Sequence, residues 1–157
     1  MRRATGLAGI VGAAAAAALL LLTPKFEDTK LTTYRDLGGV LTYCTGATEN
    51  AQWGRSYTPA ECRAQLDRDL ERHAAGIARC VPMDRLTDGQ RVAFVDAAYN
   101  IGVSAFCGSS MARRTNAGDM AGACDALLMW NKVNGREVRG LTLRRQAERE
   151  LCLKGLP

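Results

Sequence analysis

The sequence predicts an α+β fold that is mainly helical, with a small β-hairpin lobe near its start and an apolar helix ahead of that lobe. Three observations predict it: an uncharged apolar run, a Gly-, Thr- and Tyr-rich stretch over residues 27–50, and a series of capped amphipathic segments from residue 58 onward. The 157 residues suffice for one domain and one short extra segment. We therefore divide the chain into a membrane-associated segment, residues 1–25, and a globular domain, residues 26–157.

The apolar segment carries no charge over residues 4–24, and Arg2 and Arg3 precede it. About 20 apolar residues span a bilayer core, and two leading arginines favour an N-terminus left in the cytoplasm with the body exported. The segment is either retained, although weakly held because it is rich in Ala and Gly, or a cleaved signal peptide. No A-x-A cleavage pattern follows Leu22, so we favour retention.

The rest of the chain carries clear signals for turns and helix starts. Gly38-Gly39 lies between β-prone runs and predicts a hairpin. Two capping boxes, Thr58-Pro-Ala-Glu61 and Thr87-Asp-Gly-Gln90, predict helices over 58–79 and 87–99, the second ended by Gly102. Further helices are expected from Ser109 or Ser110 to Asn116, from Asp119 to Trp130 and over 141–153, with a turn at Asn134-Gly135.

The six cysteines all follow the apolar segment, and an even number in an exported body predicts three disulfides in an oxidising compartment such as a periplasm. A metal site is not expected, because no C-x-x-C occurs and the chain has one histidine. Cys62 and Cys80 fall on one predicted helix and cannot pair with each other. The expected pairs are Cys44–Cys62, Cys107–Cys124 and Cys80–Cys152.

The net charge is +5, and 19 basic against 16 acidic residues remain, a net +3, when Arg2 and Arg3 are set aside. A mildly basic exported body suits an anionic polymer such as the cell wall. Export and the lack of a basic run with interleaved aromatic residues argue against nucleic acid. We expect a monomer with no cofactor.

Two carboxyl groups are candidates for catalysis because of the residues around them. Glu27 precedes a short amphipathic stretch, Asp36 starts the Gly-rich turn, and Thr42 lies across that turn. Glycoside hydrolysis needs two carboxyl groups that flank the scissile bond. With sixteen acids in the chain this spacing alone is a weak signal, and a helix-terminal Glu27 and a turn-forming Asp36 are the plain alternatives.

The pattern Glu27-x8-Asp36-x5-Thr42, in the context YRDLGGVLT, resembles the catalytic triad of the phage-type lysozymes, glycoside hydrolase family 24. The resemblance covers residues 26–153, and it is nearest to lambdoid-phage endolysins with a signal-arrest-release segment, whose N-terminal helix first tethers the enzyme and later leaves the bilayer. Four later segments resemble the C-terminal lobe of that family and occur in the same order as in the family: YNIG at 99–102, NAGD at 116–119, WNK at 130–132 and GLTLRRQAE at 140–148.

The resemblance implies a lysozyme-like fold and an activity. The enzyme would hydrolyse the β-1,4 bond between N-acetylmuramic acid and N-acetylglucosamine in peptidoglycan and so cause host lysis. It would be tethered to the inner membrane through residues 4–23, with its body in the periplasm, and become soluble there on release.

The resemblance also implies residue roles. Glu27 would be the general acid, Asp36 the second carboxylate, and Thr42 would help to hold the water. Arg145 would pair with Glu27 and modulate it. Substrate contacts are implied at Gly46, Asn100 and Ser110.

One residue departs from the family pattern. The family usually has Gly-His-Thr after the hairpin, whereas this chain has Gly46-Ala47-Thr48. Because that histidine would pair with Asp69, we expect this link between sheet and long helix to be missing.

Two other functions fit parts of the sequence. A lytic transglycosylase acts on the same bond with a single catalytic acid and releases an anhydro sugar, and Asp36 and Thr42 argue against it. A non-catalytic, disulfide-rich module that binds walls or disrupts membranes is the second, and the Ala- and Gly-rich segment suits it.

Overall fold

The computed structural model describes residues 6–157. The fold is α+β and mainly helical, as predicted. Arg2, Arg3 and the first two residues of the apolar run lie outside the described residues. The helices are α1 Leu7–Val11, α2 Ala13–Phe26, α3 Pro59–Ile77, α4 Asp88–Ile101, α5 Val103–Cys107, α6 Ser110–Asn116, α7 Met120–Ala126 and α8 Arg139–Lys154, and the strands are β1 Lys30–Arg35, β2 Leu41–Cys44, β3 Lys132–Val133 and β4 Arg136–Glu137.

The apolar segment forms two helices instead of one. They meet at Gly12, whose φ of 89° is unfavourable for any residue with a side chain and interrupts the helix. Leu7, Val11 and Leu19 are buried in the same core as the α3 and α4 side chains. Within residues 6–157, no helix combines the length and the apolar character needed to cross a membrane.

The hairpin lobe is an antiparallel pair, β1 and β2, in which Tyr34 faces Thr42 across the ladder. The Asp36 side chain closes the turn, because its Oδ1 accepts hydrogen bonds from the backbone N–H groups of Gly38 and Val40, both at 2.9 Å. The turn that the sequence predicts at Gly38-Gly39 is therefore confirmed.

The predicted helix starts are confirmed by their caps. Thr58 and Thr87 both form complete capping boxes, with Glu61 and Gln90. Helix α4 ends at Ile101, and the next residue, Gly102, caps it with a φ of 96°. Helix α4 lies at the centre of the molecule, and its core side chains, such as Val92 and Phe94, are fully buried.

One C-terminal helix differs from the prediction, whereas the predicted C-terminal turn is confirmed. The helix expected from Asp119 to Trp130 stops at Ala126 and continues as a 3-10 turn, Leu127–Met129. The turn at Asn134-Gly135 joins two short strands, β3 and β4. Both residues have a positive φ, which suits a tight hairpin turn.

The six cysteines form three disulfides, the predicted number, but two of the predicted pairings are wrong. Cys44–Cys62 is confirmed, with the Cα atoms 4.9 Å apart. Instead of Cys107–Cys124 and Cys80–Cys152, the structure pairs Cys80 with Cys107 and Cys124 with Cys152. The cause is packing, since α5 lies against α3 and α7 lies against α8.

Candidate active site

A cavity of about 750 Å³ opens between the hairpin lobe and α3. Glu27, at the C-terminal end of α2, lines it and is partly buried. Opposite walls come from the loop after β2 and from α3. Its lining includes Gly46, Ala47, Arg68, Asp69, His73 and Tyr99.

Glu27 is held by an arginine, but by a different one from that predicted. Arg144 Nη1 donates a hydrogen bond of 2.6 Å to Glu27 Oε1. The predicted Arg145–Glu27 pair is wrong, since Arg145 Nη2 binds Asn100 Oδ1 at 2.9 Å and lies 3.1 Å from Glu148 Oε1. Consecutive residues point about 100° apart around a helix, so only one of the two arginines can face Glu27.

The buried Asp96 carboxylate orients the Arg144 side chain. Arg144 Nε and Nη2 bind the two carboxylate oxygens of Asp96 at 2.9 and 3.0 Å. Burial opposes ionisation of Asp96, but hydrogen bonds from Glu148 and Arg144 outweigh it and hold the pKa of Asp96 below its usual value. Burial also opposes the charge on Arg144, yet its bonds to Asp96 and Glu27 raise its pKa. Asp96 and Arg144 thus form a buried ion pair.

A second buried pair, Arg145 and Glu148, adjoins the first. Burial raises the pKa of Glu148 well above its usual value, and the hydrogen-bonded Asp96 carboxylate raises it further. Neither carboxyl oxygen of Glu148 accepts a hydrogen bond among the described residues. Burial and the neighbouring Asp96 carboxylate together favour the protonated form of Glu148. Burial lowers the pKa of Arg145.

Asp36 and Thr42 lie on the hairpin and do not line this cavity in the described part of the chain. Asp36 is exposed, whereas Thr42 is buried and donates to the Val40 carbonyl at 3.0 Å. Burial raises the pKa of Tyr34, and the charges of Asp36, Asp28 and Glu27 raise it further. Tyr34, which faces Thr42, is therefore within electrostatic reach of both candidate carboxylates.

The three implied substrate contacts fall in different places. Gly46 borders the cavity with a φ of 76°, and a Cβ there would lie 4.0 Å from both Glu27 Oε2 and the Tyr99 hydroxyl. Glycine therefore keeps the space in front of Glu27 open. The Asn100 side chain is engaged by Arg145, and Ser110 begins α6; among residues 6–157 neither lines the cavity.

The Asp69 carboxylate has other partners in place of the missing histidine. It accepts a hydrogen bond from Gln65 Nε2 and lies 3.2 Å from Arg72 Nη2. Gln65 Oε1 in turn accepts the backbone N–H of Thr45 at 3.1 Å. Helix α3 and the hairpin lobe are thus joined through Gln65, beside a buried Ala47.

Three residues near Glu27 escaped the sequence interpretation: Arg144, Asp96 and Thr23, whose carbonyl accepts the backbone N–H of Glu27. The signal for Asp96 was present, since an aspartate inside the apolar stretch VAFVDAAY is unusual unless it has a buried partner. Nothing local distinguishes Arg144 from its neighbour or marks Thr23 as more than a helix residue.

The chain is similar in sequence and in fold to known phage lysozymes and endolysins. The phage lysozyme family model matches residues 24–148. The SAR-endolysin of Enterobacteria phage P21 is 37% identical over 160 residues, which cover 99% of this chain and 96% of that protein. The endolysin from Escherichia coli O157:H7 phage FAHEc1 superposes with a TM-score of 0.78 at 28% identity, covering 88% of this chain and 92% of that one. The active form of the P1 phage endolysin Lyz gives a TM-score of 0.78 at 25% identity, with 91% and 85% covered. A match over most of the chain, together with a near full-length relative, shows that this chain belongs to the phage lysozyme family.

Proposed function

We propose that the protein is an endolysin that hydrolyses the β-1,4 bond between N-acetylmuramic acid and N-acetylglucosamine in peptidoglycan, with Glu27 as its general acid. The observation that carries the proposal is the placing of Glu27, whose carboxyl group lines a large polar cavity and is anchored on one oxygen. The other oxygen, Oε2, lies towards the open space beside Gly46. It is the oxygen that can reach a glycosidic oxygen.

Arg144 creates an apparent conflict, because a neighbouring cation favours an ionised carboxyl group whereas a general acid must carry a proton. The pairing of Arg144 with Asp96 reduces this conflict. Arg144 directs Nε and Nη2 to Asp96, so its charge is largely balanced before it reaches Glu27. Bound sugar would remove water from around Glu27, and loss of water disfavours the ionised form of a carboxyl group.

Asp36 would act as the second carboxylate and direct a water to the anomeric carbon, with Thr42 holding that water. The two turn amides on Oδ1 fix the orientation of the carboxylate. The family likeness favours inversion, which needs the wider separation of carboxyl groups that leaves room for a water.

The N-terminal segment would hold the enzyme in the inner membrane before release, with the N-terminus cytoplasmic and the body periplasmic. Relatives named SAR-endolysins support this, and three disulfides suit an oxidising periplasm. The released protein would act as a monomer. The burial of Leu7, Val11 and Leu19 supports a place for the segment in the released fold.

The test is Glu27→Gln assayed on purified peptidoglycan. The amide keeps the shape but cannot donate a proton, so activity should fall about 10²- to 10⁴-fold while the melting temperature stays the same. Glu137→Gln, at an exposed position of β4, is the matched control and should keep full activity. Asp36→Asn should be severely impaired and Thr42→Ala partly so. Near-normal turnover by folded Glu27→Gln would refute the assignment.

The mass of the product separates hydrolysis from the transglycosylase alternative. Hydrolysis adds one water across the bond and leaves a reducing muramic acid, whereas a transglycosylase yields the anhydro form. Failure of the parent protein to solubilise purified walls would instead favour a non-catalytic wall-binding or membrane-disrupting module.

A further inference from the structure

An unbroken line of hydrogen bonds runs from the apolar segment to the candidate acid. Thr23 Oγ1 donates to Asp96 Oδ1 at 2.7 Å, Asp96 binds Arg144 through both oxygens, and Arg144 Nη1 binds Glu27 Oε1 at 2.6 Å. Thr23 and Asp96 are wholly buried and the Arg144 side chain is 3% exposed. Water therefore cannot replace the Thr23–Asp96 bond or the Asp96–Arg144 bonds without a change in packing.

The Thr23 hydroxyl completes the coordination of one Asp96 oxygen. Asp96 Oδ1 receives both Thr23 Oγ1 and Arg144 Nη2, whereas Oδ2 receives Arg144 Nε. Two donors that approach Oδ1 from different elements, α2 and α8, fix the rotation of the carboxylate about its terminal bond. Because Arg144 is planar and binds that carboxylate in a fork, the rotation of Asp96 sets where Nη1 points.

A single helical turn links the same threonine to Glu27 by a second route. The backbone N–H of Glu27 donates to the Thr23 carbonyl at 3.0 Å. Thr23 therefore fixes the backbone of the acid from one side and, through Asp96 and Arg144, its carboxyl group from the other.

We propose that Thr23 is a positioning residue, whose hydroxyl holds Asp96 and Arg144 in the orientation that presents Glu27 to the substrate. The inference rests on the proposed role of Glu27. Since Thr23 belongs to the segment that the proposed function places in the bilayer before release, the line of hydrogen bonds is complete only once that segment has packed against α4.

The test compares Thr23→Val, which keeps the shape and removes the donor, with Thr23→Ser, which keeps the donor. Steady-state kinetics are measured on soluble peptidoglycan fragments with the full chain. Thr23→Val should lower kcat about tenfold with KM within about twofold of the parent, because misorientation of the acid affects the chemical step more than binding. Thr23→Ser should recover most of the lost kcat.

Val11→Ala is the matched control for loss of packing. Val11 is fully buried in the same segment, and its side chain takes no part in the line of hydrogen bonds. It should lower the melting temperature without lowering kcat per folded molecule. The proposal is overturned if Thr23→Val has parental kcat, or if Val11→Ala loses as much kcat as Thr23→Val. A dead Glu27→Gln beside a normal Thr23→Val would refute this inference alone, whereas an active Glu27→Gln would refute the proposed function.

Discussion

Arg144 binds two carboxylates at once, and this double role depends on the shape of its side chain. Its Nε and Nη2 atoms form a fork on Asp96 while Nη1 reaches Glu27. A lysine keeps the charge but has one compact ammonium group that cannot reproduce this geometry.

We therefore predict that Arg144→Lys folds but loses about 10- to 100-fold in kcat on peptidoglycan, through misplacement of Glu27. Arg149→Lys is the control on the same helix. Arg149 pairs with Asp125 at 2.7 Å on the surface, where an ion pair is worth at most about 1 kcal/mol. Equal activity in the two lysine variants would show that the fork does not position the acid.

Glu148 links the buried cluster to the pH dependence of stability. Burial, reinforced by Asp96, raises its folded-state pKa well above the unfolded value of 4.5. Such a group contributes stability fully below the unfolded pKa, and that contribution is lost as the pH rises through the folded pKa. Asp96 has the opposite shift, so its contribution is lost only at more acidic pH.

The corresponding prediction is that Glu148→Gln gains stability relative to the parent as the pH rises from about 4.5 to 7.5, because glutamine never ionises. Urea unfolding at both pH values measures the difference in free energy of unfolding. Glu150→Gln, at an exposed position of the same helix, should show no comparable trend. A variant-to-parent difference that is independent of pH would mean that Glu148 is ionised in the folded state.

The individual site residues were accessible from sequence to different degrees. Glu27, Asp36 and Thr42 were selected because one short stretch resembles the catalytic triad of the phage-type lysozymes; their spacing alone is a weak signal. Arg144 was missed in favour of Arg145 because both lie on α8, and the choice depends on how α8 rotates against α4. That rotation is set by tertiary packing, which a single sequence does not display.

The same division between local and non-local information holds for whole elements. The hairpin turn and both capping boxes are set by contacts within a few residues, and all were predicted. Disulfide partners depend on which helices pack together. Elimination from chain order therefore paired Cys107 with Cys124, whereas α5 lies beside the end of α3.

Peptide mapping under non-reducing conditions tests the observed connectivity. We expect linked peptides that contain Cys44–Cys62, Cys80–Cys107 and Cys124–Cys152. Replacing Cys124 and Cys152 together by alanine should lower the free energy of unfolding by about 2–4 kcal/mol, since that bond ties α7 to α8. A Cys80–Cys152 peptide from folded, active protein would contradict the packing of α3, α5, α7 and α8.

For the molecule as a whole, the proposed function gives the apolar segment two competing environments, the bilayer before release and the protein core after it. In the structure Leu7, Val11 and Leu19 are buried beside α3 and α4. Each buried large aliphatic side chain contributes about 1.5–3 kcal/mol, and the entire stability of a domain is only about 5–15 kcal/mol. Packing of the segment therefore contributes a substantial part of the stability of the fold. Under the proposed function, its glycines and alanines would set the balance between the two environments.

Two glycines allow that balance to be tested, because they differ in what the fold requires of them. Gly9 is an exposed position of α1, so leucine there makes the segment more apolar without disturbing the fold. Gly12 has φ 89° and ψ 157°, a conformation almost restricted to glycine, and its Cβ would lie 3.5 Å from Arg91 Nη1. Leucine at Gly12 should therefore also destabilise the packed form, by about 1–3 kcal/mol.

We predict that Gly9→Leu delays lysis in cells, because it favours the bilayer, while the purified variant keeps parental activity and melting temperature. Gly12→Leu should delay lysis at least as much, and its purified form should melt at a lower temperature because the break between α1 and α2 is disfavoured. Lysis curves, membrane fractionation and the mass of the mature chain provide the measurements. If Gly9→Leu lyses cells as fast as the parent, or if the mature chain is cut near residue 23, the segment acts only in export. Release would then not control the enzyme.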